Sequence, residues 1–253
     1  MTDPILSARD LAAAYPGLLA LRGVSLALAP GEALAVVGRS GCGKTTLGRM
    51  LAGLPVPGAR LSGELAWPGG AAPVAQARRR GLARQVAWLP QEAIAALHPQ
   101  LTIGTQVAET LRAAGQRADA AAVAGCLAEV GLPAEFAARH PHRLSGGQGQ
   151  RAALACCLAQ SPSVLVADEP TSALDESTGA MLLRLLAERR RARGMALVLV
   201  THDLRAATTL CDRMLVLQDG AIAEEGPALR LAHAPRSQAA QELVAALRLG
   251  QAA

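Results

Sequence analysis

The stretch Ala33-Leu34-Ala35-Val36-Val37-Gly38-Arg39-Ser40-Gly41-Cys42-Gly43-Lys44-Thr45-Thr46 runs from an unbroken apolar segment through a glycine-rich turn into a helical pattern. An apolar run bounded by turn residues reads as a strand buried on both faces, the kind found in parallel sheets. The turn from Gly38 to Thr45 fits G-x-x-x-x-G-K-[ST] and stands between strand and helix, where that motif works. Glycines let the backbone come close to a phosphate chain, and the unpaired amides of a helix start favour negative charge. Lys44 is expected to place a point charge on the β- and γ-phosphates, and the Thr45 hydroxyl to ligate Mg2+. Cys42 occupies a position that needs a small side chain, and the nearby helix start is expected to depress its thiol pKa.

Leu144-Ser145-Gly146-Gly147-Gln148 is a second glycine-bearing turn that opens a helix. Ser145 is a good N-cap, and the amides behind it form a second anion cradle. One nucleotide rarely needs two cradles from one chain. Val164-Leu165-Val166-Ala167-Asp168 ends another buried strand in a carboxylate, followed by Glu169. Ligands of open α/β sheets bind at the carboxyl ends of strands. Asp168 is therefore expected to hold Mg2+, directly or through water, and Glu169 to act as general base toward an attacking water.

Aliphatic segments alternate with longer helical patterns, the rhythm of an α/β domain with a mostly parallel sheet. Strands are expected at 33–37, 86–89, 164–167, 196–201, 214–217 and 221–224, with a short antiparallel N-terminal flap near 5–11 and 24–28. Helices are expected at 44–52, 105–114, 120–130, 146–159, 177–193 and 204–210. From Gln91 to Ser161 the strand signal stops and alanine-rich helical patterns take over. That reads as a helical subdomain, residues 91–161, inserted into a core of residues 1–90 and 162–230, with Pro90-Gln91 and Ser161-Pro162 as its joints. Residues 231–253 read as a helical tail, with Gln238–Leu249 amphipathic and packing on its own domain.

The 253 residues are 51% hydrophobic, enough for one large core. No apolar run approaches the roughly 18–20 residues that span a bilayer. Met1-Thr2-Asp3-Pro4 begins no secretory signal pattern, so a cytosolic chain is expected. The five cysteines (Cys42, Cys126, Cys156, Cys157 and Cys211) have no zinc-ligand spacing, and Cys156 and Cys157 read as small buried hydrophobes. The net charge of +5 does not by itself choose a partner. Arg78-Arg79-Arg80 and Arg189-Arg190-Arg191 with Arg193 lack interleaved aromatics, so no nucleic-acid partner is expected. The second cluster reads as a solvated helix end.

These motifs, taken in order, resemble the ATP-binding subunit of ABC transporters over nearly the whole chain. The resemblance implies a P-loop NTPase core with a mostly parallel sheet, an antiparallel flap and the inserted helical subdomain. It implies that Tyr15 stacks on adenine and that Gly38, Arg39, Ser40, Gly41, Cys42, Gly43, Lys44, Thr45 and Thr46 cradle the phosphates of ATP. Gln91 resembles the glutamine that touches Mg2+ and the attacking water, and His202 in Thr201-His202-Asp203 the switch histidine at the γ-phosphate. Leu144-Ser145-Gly146-Gly147-Gln148 matches the family's five-residue signature, and Asp175 in Ser172-Ala173-Leu174-Asp175 the loop that links two sites. Gly149 departs from the family, which carries a longer side chain there. A glycine in a helix interior costs about 1 kcal/mol relative to alanine, so a slightly weaker signature helix is expected.

The implied mechanism pairs two such subunits head to tail, as a homodimer or a heterodimer, each ATP lying between the phosphate loop of one and the Ser-Gly-Gly turn of the other. Hydrolysis at Glu169 separates them and moves integral membrane permease subunits, which places the chain peripherally at the cytoplasmic face of the inner membrane. The segments 58–64, 96–104, 140–143, 225–227 and 234–236 are similar to those of dipeptide, oligopeptide and nickel importers, which implies an extracytoplasmic solute-binding protein in the same system. Rival readings are the ATPase of an exporter, and a soluble ABC ATPase acting on ribosome or DNA. Members of that last class usually carry two nucleotide domains or a long coiled coil, and this chain has neither.

Overall fold

The structure, a computed structural model, describes residues 3–250. Met1-Thr2 and residues 251–253 of the expected tail lie outside the described residues. In chain order the strands are β1 (Leu6–Tyr15), β2 (Leu18–Leu28), β3 (Ala33–Val37), β4 (Arg60–Trp67), β5 (Gly70–Pro73), β6 (Val86–Leu89), β7 (Val164–Asp168), β8 (Ala196–Val200), β9 (Arg213–Gln218) and β10 (Ala221–Pro227). The helices are α1 (Lys44–Leu51), α2 (Val74–Ala77), α3 (Ile103–Ala113), α4 (Ala120–Glu129), α5 (Gly146–Ala159), α6 (Glu176–Arg193), α7 (Leu204–Leu210), α8 (Ala228–His233) and α9 (Gln238–Gly250). No helix among the described residues is long and apolar enough to cross a membrane.

The strands form two sheets. A six-stranded sheet has the order β10-β9-β3-β8-β7-β6, parallel throughout except for the antiparallel edge strand β10. Strands β3, β7 and β8 are buried at every position, because layers cover both faces of the sheet. Alternate residues feed two cores. Ala33, Ala35 and Val37 join a cluster with α5, α6 and α7, whereas Leu34 and Val36 join one with α1 and the second sheet. That second sheet is antiparallel, order β2-β1-β4-β5. It is larger than the flap expected from the sequence. Burial in β4 alternates along the whole strand, but only Leu65 and Trp67 are fully buried, so its inward face is mostly half-solvated.

Between Gln91 and Ser161 the elements are α3, α4, α5 and two short 3-10 turns, as the alanine-rich patterns suggested. The arginine cluster at the end of α6 is not the solvated helix end that the sequence suggested. Arg190 is 9% exposed, donates to the Gly31 carbonyl at 3.1 Å and pairs with Asp212 at 2.7 Å, while Arg193 donates to the Leu158 carbonyl at 2.7 Å. Asp212 in turn accepts from the Ala33 amide at 2.8 Å, so this pair ties the start of β3 to the start of β9.

The tail is anchored by one carboxylate. Glu224 on β10 accepts from the Arg230 guanidinium at 2.9 Å and from the amides of Arg236 and Ser237, each at 2.8 Å. Burial works to raise its pKa, but the two amides and the guanidinium outweigh burial and hold it down at about 2. The folded pKa lies below the unfolded one, so the anchor's contribution is complete above the ordinary glutamate range and fades as pH falls toward 2. Glu224→Gln should therefore lower stability in urea unfolding by about 1–3 kcal/mol at neutral pH. The gap between variant and wild type should narrow as the titration is repeated below pH 4; a gap independent of pH would contradict this account.

Candidate functional site

Four loops leave the carboxyl ends of the adjacent strands β3, β8, β7 and β6, on one edge of the parallel sheet. They carry the phosphate loop after β3, His202 after β8, Glu169 after β7 and Gln91 after β6. Residues far apart in the chain are brought together by strand order alone, at the edge where open α/β sheets bind ligands.

In the phosphate loop, Lys44 is 8% exposed and donates from Nζ to the carbonyls of Gly38 at 2.9 Å and Arg39 at 3.0 Å. Gly43 has φ 104°, and a Cβ there would stand 2.6 Å from the Ala20 carbonyl oxygen of β2. On the other side the Cys42 carbonyl accepts from the Gly220 amide, at 3.2 Å, in the β9–β10 turn. The loop is thus clamped between the flap sheet and that hairpin, while Arg39, Ser40 and Gly41 stay exposed. Helices α3 to α7 each start with a capping side chain, from Thr102, Asp119, Ser145, Asp175 and Asp203. Helix α1 starts without one, which leaves its first amides for an anion. Thr46 lies in its first turn. Tyr15 ends β1, half-buried and opposite Leu18, on the sheet that abuts the loop through Ala20.

Asp168 is 2% exposed. Its carboxylate accepts from the Thr45 hydroxyl, yet Oδ1 has no hydrogen-bond partner among the described residues. Burial raises its pKa, against the Thr45 hydroxyl and Lys44, and the neighbouring Glu169 charge adds to the rise. A buried oxygen without a partner costs about 1–3 kcal/mol. A divalent cation beside Thr45 and Asp168 would satisfy it, so the residues present fit Mg2+.

Glu169 has φ 43°, a left-handed backbone that costs a non-glycine residue about 1–3 kcal/mol, held by its amide donating to the Val200 carbonyl at 2.8 Å. This turn aims the carboxylate between two partners. Oε2 accepts from Gln91 Nε2 at 3.3 Å, and Oε1 stands 3.3 Å from His202 Nδ1. Glu169, Gln91 and His202 therefore form one polar chain across the ends of β6, β7 and β8. A cleft of about 860 Å³ opens beside it, lined by Glu169, Ser172, Asp175 and His202 among others.

The signature turn sits elsewhere. Ser145 Oγ accepts from the Gln148 amide at 3.4 Å, and Gln148 Oε1 accepts from the Ser145 amide at 3.0 Å, a reciprocal capping box. Gly146 is exposed, and a Cβ on Gly147 would meet Thr178 Cγ2 at 2.6 Å. Among the described residues no hydrogen bond or ion pair joins this turn to the phosphate loop. Asp175 caps α6, accepting from the Thr178 amide at 3.0 Å and the hydroxyls of Ser177 and Thr178; these bonds hold its carboxyl well below the usual range.

Two expectations need correction. The Cys42 thiol pKa is raised, not depressed: burial dominates, and the charge of Lys44 and the amide hydrogen bonds lower it by less. Gly149 is no mere loss of helix propensity, because a Cβ there would lie 2.1 Å from Ile94 Cγ1. The sequence reading also missed Ala20 and Gly220 as walls of the phosphate loop. The Asp219-Gly220 pair between two apolar runs is a hairpin signal that could have found the second.

The family model described as ABC transporter matches residues 21–172. The chain belongs to the ABC transporter family. It is 40% identical over 247 residues to a "Di/tripeptide transport ATP-binding protein DppF" of Pseudomonas aeruginosa (strain UCBPP-PA14), covering 92% of this chain and 76% of that protein. It is 36% identical over 260 residues to a "Glutathione import ATP-binding protein GsiA" of Escherichia coli (strain K12), covering 97% of this chain but only 41% of that relative. A dimeric structure of the ATP-binding cassette MJ0796 in a post-hydrolysis state, bound to ADP and Pi, superposes with a TM-score of 0.75 at 28% identity, over 88% of this chain and 98% of that one. The cbiO1 subunit from Clostridium perfringens, at 24% identity and TM-score 0.77 over 92% of each chain, shares the fold. This ABC subunit is accordingly an ATP-binding protein and an ATP hydrolase.

The raised Cys42 pKa sets a test. Iodoacetamide labelling of Cys42, followed by peptide mapping, should be slow at pH 7 and accelerate as pH passes 9, with ATP protecting it and labelled protein failing to bind ATP. A rate already maximal at pH 7 would show an activated thiolate instead. Cys156, whose pKa burial pushes up to about 12, should label more slowly still.

Proposed function

We propose that this chain is the ATPase of an importer for short peptides, working in pairs beneath integral membrane permease subunits. The observation that carries the catalytic part is the Glu169 carboxylate held between Gln91 and His202 at the carboxyl edge of the sheet. In this reading the phosphate loop, from Gly38 to Thr46, binds the phosphates of ATP and Tyr15 its adenine. Lys44 exchanges the carbonyls of Gly38 and Arg39 for phosphate oxygens. Thr45 and Asp168, with Gln91, hold Mg2+, which when bound neutralises charge on the phosphoryl group.

Glu169 takes the proton from the attacking water, Gln91 orients that water, and His202 steadies the γ-phosphate. The Ser145-Gly146-Gly147-Gln148 turn serves the nucleotide of a second ATPase subunit, identical or paralogous, with Asp175 linking the two sites. The capping box, which fixes this turn to the start of α5, and the packing of Gly147 on Thr178 of α6 support that division. The helical subdomain 91–161 moves as a unit against the core of residues 1–90 and 162–230, while the tail 231–253 stays packed on that core.

Import of peptides is supported by the relatives named for di/tripeptides and glutathione, which favour that cargo over nickel or a metal chelate. It brings an extracytoplasmic solute-binding protein and a position at the cytoplasmic face of the inner membrane.

Glu169→Gln should lower ATP hydrolysis by about 10²–10⁴-fold and, with saturating ATP, elute as a dimer in gel filtration. A variant that stays monomeric with ATP bound would count against the shared site. With its permease and binding protein in proteoliposomes, hydrolysis should rise on adding a dipeptide; stimulation by nickel salts and not by dipeptides would overturn the cargo.

A further inference from the structure

We propose that Ile94 and Gly149 form a joint that fixes the loop bearing Gln91 to the helix bearing the signature turn, which makes Ile94 a positioning residue for hydrolysis. The inference rests on the roles proposed above for Gln91, Glu169 and Ser145. Residues 91–101 leave β6 and lead to α3. One end is tied by the Gln91 bond to Glu169. The other is laced by Gln106 of α3, whose Oε1 accepts from the His98 amide at 2.8 Å and whose Nε2 donates to the carbonyls of His98 and Leu101, each at 3.1 Å. Between these ties the loop closes a turn of its own. The Ala96 amide donates to the Ala93 carbonyl at 3.2 Å and the Leu97 amide to the Ile94 carbonyl at 3.1 Å, with Ala93 and Leu97 buried beneath.

Ile94 projects from that turn onto α5. A Cβ built on Gly149 would lie 2.1 Å from Ile94 Cγ1 and 2.5 Å from Cδ1, distances that real Cβ atoms do not tolerate. Only glycine leaves the seat open at this approach, and a β-branched side chain with a stiff χ1 makes a rigid knob to fill it. A glycine inside a helix has a poorer helix propensity than alanine, so the seat carries a standing cost in stability. Gly149 directly follows Gln148, the partner of Ser145 in the capping box. The joint therefore lies within one helical turn of the signature. Any shift of the start of α5 presses on Ile94, moves the Gln91 loop, and reaches the Glu169 carboxylate through a 3.3 Å bond.

The test uses the full chain with MgATP and four variants: Ile94→Ala, Gly149→Ala, the double variant, and Glu169→Gln as a check on the underlying reading. Ile94→Ala should lower kcat about 5–10-fold and leave KM for ATP within about 2-fold, because it disturbs geometry and not binding. Gly149→Ala should lower kcat about 10-fold or more, although helix propensity alone would make it benign. The double variant should be no worse than Ile94→Ala, since removing the knob relieves the clash. Wild-type kcat in Ile94→Ala, or losses that simply multiply in the double variant, would overturn the joint. Should Gly149→Ala fail to fold, the kcat of Ile94→Ala decides alone. An inactive Glu169→Gln beside a fully active Ile94→Ala sinks only the joint, whereas an active Glu169→Gln sinks the functional reading and the joint with it.

Discussion

The hydrogen-bonded register of three parallel strands governs the rest of this molecule. Ala33 to Val36 of β3 lie beside Leu197 to Val200 of β8, and Val164 to Asp168 of β7 beside Ala196 to Val200. Because the strands run the same way and end together, the loops that follow them open on one edge. Glu169 continues that ladder by one bond, to the Val200 carbonyl, and Thr201 by another, to the Val36 carbonyl. A one-residue slip would exchange the two cores that Leu34, Val36 and their neighbours fill, so the apolar packing holds the polar edge in place.

That packing supports several local strains at the edge. Asp168 keeps a buried carboxylate oxygen without a partner, Glu169 holds a left-handed backbone, and helix α1 begins uncapped. Each feature is unfavourable by itself, and all three lie at the carboxyl ends of strands β3 and β7, which flank β8. They are the features that a phosphate chain and a divalent cation would relieve. The structural pairs Arg190–Asp212 and Glu224–Arg230, by contrast, are ion pairs that fasten α6 and the tail to the sheet.

Much of the site was legible in the sequence because its motifs are local. The phosphate loop must follow a buried strand and precede a helix, and both flanks can be read within a few residues of Gly38. The helices 146–159 and 204–210 and the strands 33–37 and 86–89 came out with their observed bounds, since sharp changes from apolar run to turn residues mark them. Strand β4 escaped because the inward positions of its first half, Leu61 and Gly63, are only half-buried and one of them is a glycine, which weakens the strand signal. The arginines of α6 escaped because charge in a sequence does not say which guanidinium reaches back to an aspartate across the sheet.

By itself, the sequence determined the α/β alternation, the phosphate loop, the acidic strand end and the signature turn, each set by residues in direct succession. Only the tertiary structure decided the three relations that span the chain. Glu169 meets Gln91 and His202 because β6, β7 and β8 are neighbours. The Cys42 thiol pKa is raised because the apolar packing around it outweighs the helix start beside it. Gly149 is a seat for Ile94 because a loop 55 positions earlier folds back onto α5. Sequence neighbours are fixed by short-range torsional preference, whereas these partners are chosen by strand order and by the volume that close packing leaves free.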